Sequence, residues 1–327
     1  MELVVNFTAI MPQTIVLITA LVVLFVDLFW SNRRALGLIS LAGVVAAGVL
    51  ALLSFPNESK AIQQFHSMAV ADRFSLIVTF IVALAAALTI LISFRHTERL
   101  GLPTGEYFGL LLLAASGMMF VGAATHLITI FLSLEIFSIA LYVLAGLNPA
   151  DSRSGESALK YLLLGGFASA FLLYGMALIF GATGATSLTG IAAAVATASP
   201  MLLIGIGLLM IGFAFKVAAV PFHMWTPDVY QGAPTSVAAF MSVGAKAAGF
   251  AALLFLLLTV FPTLVDKWVW PVAILAILTM TWGNLAALAQ QNLKRMLAYS
   301  SIAHAGYVLV GVAAGEEGAG GVLFYLL

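Results

Sequence analysis

The chain contains no cysteine and very little charge: 13 basic and 13 acidic residues among 327, 8% charged overall, with a formal net charge of zero. Without cysteine it can form no disulfide and offers no thiolate to zinc or an iron–sulfur cluster; compartment is left open. A neutral balance with no basic face gives no footprint for nucleic acid. Glycine-rich dinucleotide and P-loop signatures on a strand–helix unit are missing, and no histidines have the His-Glu-x-x-His spacing of a helical metal site. The sequence therefore predicts no cofactor and no metal bound by this chain. Alternation over about ten residues, the mark of a membrane β-barrel, is absent too.

What is present is apolar. The chain is 63% hydrophobic with a mean hydropathy of +1.15, far outside the range of soluble domains. The apolar residues come in blocks of about 20, the length a helix needs to cross roughly 30 Å of hydrocarbon. The fold class is all-α, a polytopic membrane helix bundle. Segments are expected at Ile10–Trp30, Ala35–Phe55, Phe74–Phe94, Phe108–Ala124, Leu127–Leu147, Leu159–Ala182, Met201–Phe222, Val237–Phe261, Trp270–Ala289 and Ala298–Ala313. With one more starting at Gly321 this makes about 11 transmembrane helices, the last incomplete, so the sequence reads as C-terminally truncated. The first run is followed by further spans and not by a cleavage site and a soluble domain, so it reads as a retained helix.

Basic residues set the expected orientation. Arg33, Arg34, Arg95, Arg99, Arg153, Lys160, Lys294 and Arg295 follow odd-numbered segments, whereas Lys60, Arg73 and Lys267 fall on the opposite side. The positive-inside rule then puts the N-terminus outside. Lys216 and Lys246 remain, inside the seventh and eighth segments.

The stretch from Ile211 to Thr235 is the most unusual. Lys216 lies five residues before Pro221, and the run continues into a turn-rich segment with Pro227, Gly232 and Pro234. A proline removes one helix donor and frees the carbonyl four residues back, here that of Val217, so a kink or break is expected near the charge, with these four residues as the structural hinge. Broken membrane helices with an ionisable neighbour are where transporters place ion sites. A lysine close to a helix end can instead snorkel to the interface, but Lys216 is some six residues from its expected end.

Lys246 sits among small residues, with Gly244/Ala248 and Ala245/Gly249 at the four-residue spacing that lets helices approach, so it is expected to face the bundle. Glu135 shares a face with Ser138 and Tyr142. A carboxylate and two lysines in a membrane are costly unless paired, so Glu135 is expected to neutralise Lys216 or Lys246; the alternative is a structural carboxylate hydrogen-bonded between helices. At an effective dielectric near 20, charges about 4 Å apart interact by roughly 4 kcal/mol, enough for such a pair to act as a proton switch. His304, on one face with Ser300 and Tyr307, can extend a proton path. His126 and His223 fall at helix ends, His66 and His96 in loops; Asp27 reads as interfacial, and Asp228 as a cap or clamp in the turn segment. Tyr142-Val-Leu-Ala-Gly146 and Tyr307-Val-Leu-Val-Gly311 form a weak echo five helices apart, the spacing of an inverted repeat.

At these residues the chain resembles the antiporter-like membrane subunits of respiratory complex I, the NADH-quinone oxidoreductases. The resemblance is carried by Pro221-Phe-His-Met-Trp-Thr-Pro-Asp-Val-Tyr-Gln-Gly-Ala-Pro-Thr235, by Lys246 and Glu135, and by Asn292-Leu-Lys-Arg-Met-Leu-Ala-Tyr-Ser-Ser-Ile-Ala-His-Ala-Gly-Tyr307. The Asp-Val-Tyr-x-Gly-Ala-Pro-Thr continuation is similar to the subunit N branch. The resemblance implies inverted five-helix repeats with a proline-broken seventh helix: an N-terminal three-helix segment at 1–105, a first repeat at 106–261, and the start of a second at 262–327. It also implies a proton-translocating subunit in which Glu135, Lys216, Lys246 and His304 transfer protons. NADH and quinone would be used by partner subunits of the membrane and peripheral arms, with no redox active site here. The implied location is the plasma membrane of a bacterium. Two alternatives are a Mrp-type or free-standing cation/proton antiporter subunit and a structural membrane-arm subunit without its own channel.

Overall fold

The computed structural model describes residues 10–30, 32–55, 62–64, 68–195 and 198–327. Lys60 and His66 lie outside the described residues. Helices α1 (Met11–Asp27), α2 (Arg33–Ser54), α3 (Arg73–Leu100), α4 (Thr104–Ala123), α5 (Leu127–Ala145) and α6 (Ser152–Thr183) run first. After the short α7 (Leu188–Ala194) come α8 (Pro200–Lys216), α9 (Trp225–Gly232), and a rod made of α10 (Thr235–Phe240), a π-turn at Met241–Ala245, α11 (Lys246–Phe255) and a second π-turn at Leu256–Val260. The described chain ends with α12 (Val265–Leu288), α13 (Leu293–Ala313) and α14 (Glu316–Leu326). A small antiparallel hairpin, β1 (Ile62–Gln64) with β2 (Ala69–Ala71), precedes α3.

Among the described residues, 8 helices are long and apolar enough to cross a membrane; α1 and α8 are apolar but shorter, at 17 residues each. Side-chain caps fix where several begin: Asn32 accepts from the Arg34 and Ala35 amides before α2, Asp72 and Ser75 form a capping box on α3, and Asn292 accepts from the Arg295 amide. Gly101 and Gly184, at φ 63° and 69°, end α3 and α6 in the left-handed conformation that costs glycine least. The α4 helix and the Thr235–Val260 rod are enclosed, whereas α12 faces outward over most of its surface.

Several expectations need correction. The seventh segment does not run to Phe222: α8 stops at Lys216, ahead of Pro221. The turn-rich stretch after it is not simply a loop, because Trp225–Gly232 is helical, with Pro227 in the first turn where a missing N–H is harmless. His96 is not in a loop: α3 carries on past Phe94 to Leu100 and is stopped by Gly101. The last helix begins at Glu316 and not Gly321.

The crossing that sets the position of α8 is a close one. A Cβ placed on Gly175 of α6 would lie 2.7 Å from the Gly205 carbonyl oxygen, and one on Gly212 would lie 2.7 Å from the Leu172 Cβ. Two helices meeting backbone to backbone in this way are held by packing and not by a hydrophobic drive, which lipid removes.

Candidate functional site

The end of α8 forms a Schellman motif without glycine. The Ala218 amide donates to the Phe215 carbonyl at 3.1 Å and the Ala219 amide to the Ala214 carbonyl at 2.8 Å. Ala218 takes φ 61°, the left-handed region, at a cost of order 1 kcal/mol for a residue with a Cβ. Two backbone groups of the break also find side-chain partners. Trp225 Nε1 donates to the Phe215 carbonyl at 3.1 Å, and the Val220 amide donates to Thr279 Oγ1 on α12 at 2.9 Å. The Trp225 ring stacks on Tyr161 of α6, with centroids 4.5 Å apart and planes within 10°. The helix is thus interrupted at the charge, with the Ala214 and Phe215 carbonyls and the Ala218, Ala219 and Val220 amides bonded inside the protein, as a membrane interior favours.

Lys216 is 4% exposed. Its Nζ donates to Ser138 Oγ on α5 at 2.7 Å and lies 5.8 Å from the centre of the Phe137 ring, a cation–π distance. Ser138 in turn donates to the Leu134 carbonyl at 2.5 Å. Glu135, one turn earlier, accepts from Ser169 of α6 at 2.5 Å. Among the described residues no ion pair joins Glu135 to Lys216 or Lys246. Glu135 still acts on Lys216 through its charge, but without direct contact: each group is hydrogen-bonded to a hydroxyl, with Glu135 and Ser138 on the shared face of α5.

Lys246 follows directly on the Met241–Ala245 π-turn, a deformation that often accompanies functional positions. It is 5% exposed and faces the bundle, its Nζ donating to the Ser301 carbonyl at 2.5 Å and to Ser301 Oγ at 2.6 Å. The small residues around it have distinct uses. A Cβ on Gly249 would sit 3.0 Å from Val217 Cγ1 and 3.6 Å from Lys216 Cβ, so the helix of one lysine packs on the end of the other's. One turn past Ser301 comes His304, whose Nδ1 bonds the Tyr325 hydroxyl and whose ring lies 5.4 Å from that of Tyr307. His304 lines a cavity of about 420 Å³ with Tyr230, Ser242, Lys294 and Ser301. The Tyr142 and Tyr230 hydroxyls neighbour Ser138 and Ser301 respectively, so each lysine has a serine beside it and a tyrosine beyond.

Asp228 clamps the second half of the broken helix. Its Oδ2 takes Lys160 Nζ of α6 at 2.7 Å and its Oδ1 takes Arg295 Nη1 of α13 at 2.5 Å. Arg295 also reaches Gln231 Oε1 at 3.3 Å, and Lys294 Nζ donates to the Ala233 carbonyl at 2.7 Å. Asp228 lies outside the membrane-spanning helices. Partial burial works to raise its pKa, but the hydrogen bonds and charges of Lys160 and Arg295 outweigh it and hold the carboxyl below its ordinary value of 3.8. Gly232 allows the same close docking: a Cβ there would be 2.3 Å from the Arg153 carbonyl oxygen. Pro234 caps the start of α10.

The structure therefore brings Glu135, Lys216, Lys246 and His304 onto neighbouring helices. His126 is the N-cap residue of α5 without a side-chain cap bond, His223 lies in the break against the Trp282 ring, and Asp27 packs over Gly105 at the end of α1. Sequence reasoning missed Ser169, Thr279 and Tyr325, and held Trp225 and Ser301 only as members of the resemblance motifs, without a role. Hydroxyls and aromatics are common in apolar helices, and their partners come from other helices, so no local spacing marks them.

The family described as NADH:quinone oxidoreductase/Mrp antiporter, transmembrane region, matches residues 124–327. The chain is 49% identical over 330 residues to NADH-quinone oxidoreductase subunit N of Trichlorobacter lovleyi, covering 99% of this chain and 67% of the relative. It is 46% identical over 323 residues to NAD(P)H-quinone oxidoreductase subunit 2 of a Synechococcus strain, covering 98% and 61%. A chain of respiratory complex I from Thermus thermophilus, solved with bound aureothin, superposes with a TM-score of 0.81 at 36% identity, over 96% of this chain and 66% of that one. This chain thus spans roughly two thirds of the length of these relatives. Taken with the broken helix and its buried lysine, these matches place the chain in the NADH:quinone oxidoreductase/Mrp antiporter family of multi-pass membrane subunits.

Proposed function

We propose that the chain is the proton-translocating membrane part of an NADH-quinone oxidoreductase, with Lys216, Glu135, Lys246 and His304 handling the proton. The observation that carries this is the Lys216 ammonium, enclosed at a helix break and held by one hydroxyl. Loss of its proton removes the charge and leaves the nitrogen two N–H groups and a lone pair, so its bond to Ser138 falls from a charge-assisted to a neutral one. Charge-assisted hydrogen bonds of this kind are worth about 1.5–3 kcal/mol. Moving one charge against 100 mV takes about 2.3 kcal/mol, so exchanging such bonds is the right scale for a gate. Arrival or withdrawal of charge near Glu135 would shift Lys216, and the packing at Gly249 would pass the change to Lys246 and, through Ser301, toward His304.

In this reading the break at Lys216 and the interrupted rod before Lys246 are the deformable parts of a first five-helix repeat, with the Tyr142 and Tyr307 pentapeptides as inverted counterparts. The basic edge faces the cytoplasm of a bacterial cell and the N-terminus faces out. NADH oxidation and quinone reduction belong to other subunits of the complex, whose state reaches this chain through the membrane arm. The whole complex reconstituted in liposomes tests the assignment: Lys216→Ala and Glu135→Ala should each lower protons moved per quinone reduced. Normal stoichiometry in both variants refutes it.

A further inference from the structure

Outside this site, the edge of the bundle where α2 begins and α3 ends holds a cavity of about 470 Å³. Arg33 and Arg34 enter it from the first turn of α2, Arg95 from the last turns of α3, with Glu98 as the one acidic lining residue. All three arginines are exposed, and among the described residues none of their guanidiniums has an ion-pair or hydrogen-bond partner. The inner wall is apolar: Leu38, 59% exposed, and the ring of Phe94. Gly37 lets the two helices close on that wall, since a Cβ there would lie 2.4 Å from the Phe94 ring. Cations therefore sit at the ends of two spans, above a hydrophobic surface that runs along them into the membrane.

We propose that this cavity binds the headgroup of an anionic phospholipid, its phosphodiester on Arg33, Arg34 and Arg95 and an acyl chain along Leu38 and Phe94. Guanidiniums suit a phosphodiester because their fork matches two of its oxygens, and a basic pocket between spans at one membrane face selects negative headgroups. Glu98 disfavours a second negative group on its side, which points to a single phosphodiester. A free phosphate ion would satisfy the arginines but leave Leu38 and Phe94 without a use.

The test is lipid exchange on the purified, delipidated complex containing the full-length subunit, using spin-labelled phosphatidylglycerol and phosphatidylcholine. The wild type should prefer phosphatidylglycerol, and 10 mM inorganic phosphate, a concentration of about that order, should not displace it. Each Arg→Gln change should weaken the preference about fivefold, and all three together on the order of a hundredfold. Arg153→Gln, also at a basic helix end, should leave it unchanged. If the triple variant fails to assemble, Arg95→Gln alone carries the test. Equal retention of the two lipids by the wild type, displacement by phosphate, or an unchanged preference in Arg95→Gln overturns the proposal. So does loss of a neighbouring subunit with lipid preference intact, which would assign the arginines to an acidic partner segment.

Discussion

Replacing Asp228 by Asn keeps the shape of the side chain and removes its charge from a cluster that ties α9 to two other helices. The two cations do not lose equally. Lys160 keeps the Glu156 carboxylate at 2.6 Å, whereas Arg295 keeps no carboxylate, only the neutral Gln231 oxygen at 3.3 Å and the Tyr299 hydroxyl. Side-chain exposures of 33% for Asp228 and 31% for Arg295 put the Arg295 pair between a surface ion pair, worth about 0.2–1 kcal/mol, and a charge-assisted bond in the interior, about 1.5–3. A coupling of about 1–2 kcal/mol to Arg295 and about 0.5 to Lys160 follows. Double-mutant cycles of Asp228→Asn with Arg295→Gln and with Lys160→Gln, read from unfolding in mixed detergent micelles, measure both. Because the folded state depresses the Asp228 pKa below 3.8, its contribution is fully present above the ordinary aspartate value and is lost as pH falls through the folded one. The gap between wild type and Asp228→Asn should therefore be flat from pH 5 to 8, about the range where the carboxyl stays ionised, and close only below about pH 4. Equal couplings for the two cations, or a gap that changes near neutral pH, would refute the reasoning.

The remaining predictions concern the lysine and its helix. Ser138→Ala removes the hydroxyl bonded to the Lys216 ammonium, and leaving a buried charged donor unmet costs about 1–3 kcal/mol; coupled proton transfer should fall about 10- to 100-fold, measured by dye quenching in proteoliposomes, while Ser138→Thr should recover most of it. Gly205→Val puts side-chain atoms against the backbone of α6, where even a Cβ would be 3.0 Å from the Gly175 carbonyl; it should lower stability by about 1–3 kcal/mol, whereas Gly207→Val, in open space on the same helix, should stay within about 0.5. Equal effects of the two valines in thermal inactivation would show that the crossing is looser than its geometry implies.

The sequence by itself determined the class and the cast. Twenty-residue apolar blocks leave a membrane helix no other length, and a lysine inside such a block has few benign positions, so the helical bundle and the singular status of Lys216, Lys246 and Glu135 are legible from residues alone. It also placed a break near Pro221, and the helix does stop at Lys216 with Val217 as its C-cap. What it left open is how the break is held: Ala218 turns left-handed, Trp225 donates to the Phe215 carbonyl, and Thr279, far along the chain, accepts from the Val220 amide. Tertiary structure alone decided how the charges are met. A buried charge needs a partner within hydrogen-bond reach, and which group supplies it depends on helix rotation and crossing, not on local spacing. The α6–α8 crossing at Gly175 and Gly205 and the packing of Gly249 on Val217 set those rotations. They put Ser138 on Lys216, Ser169 on Glu135 and Ser301 on Lys246 in place of the direct carboxylate–lysine pair that charge balance alone predicts.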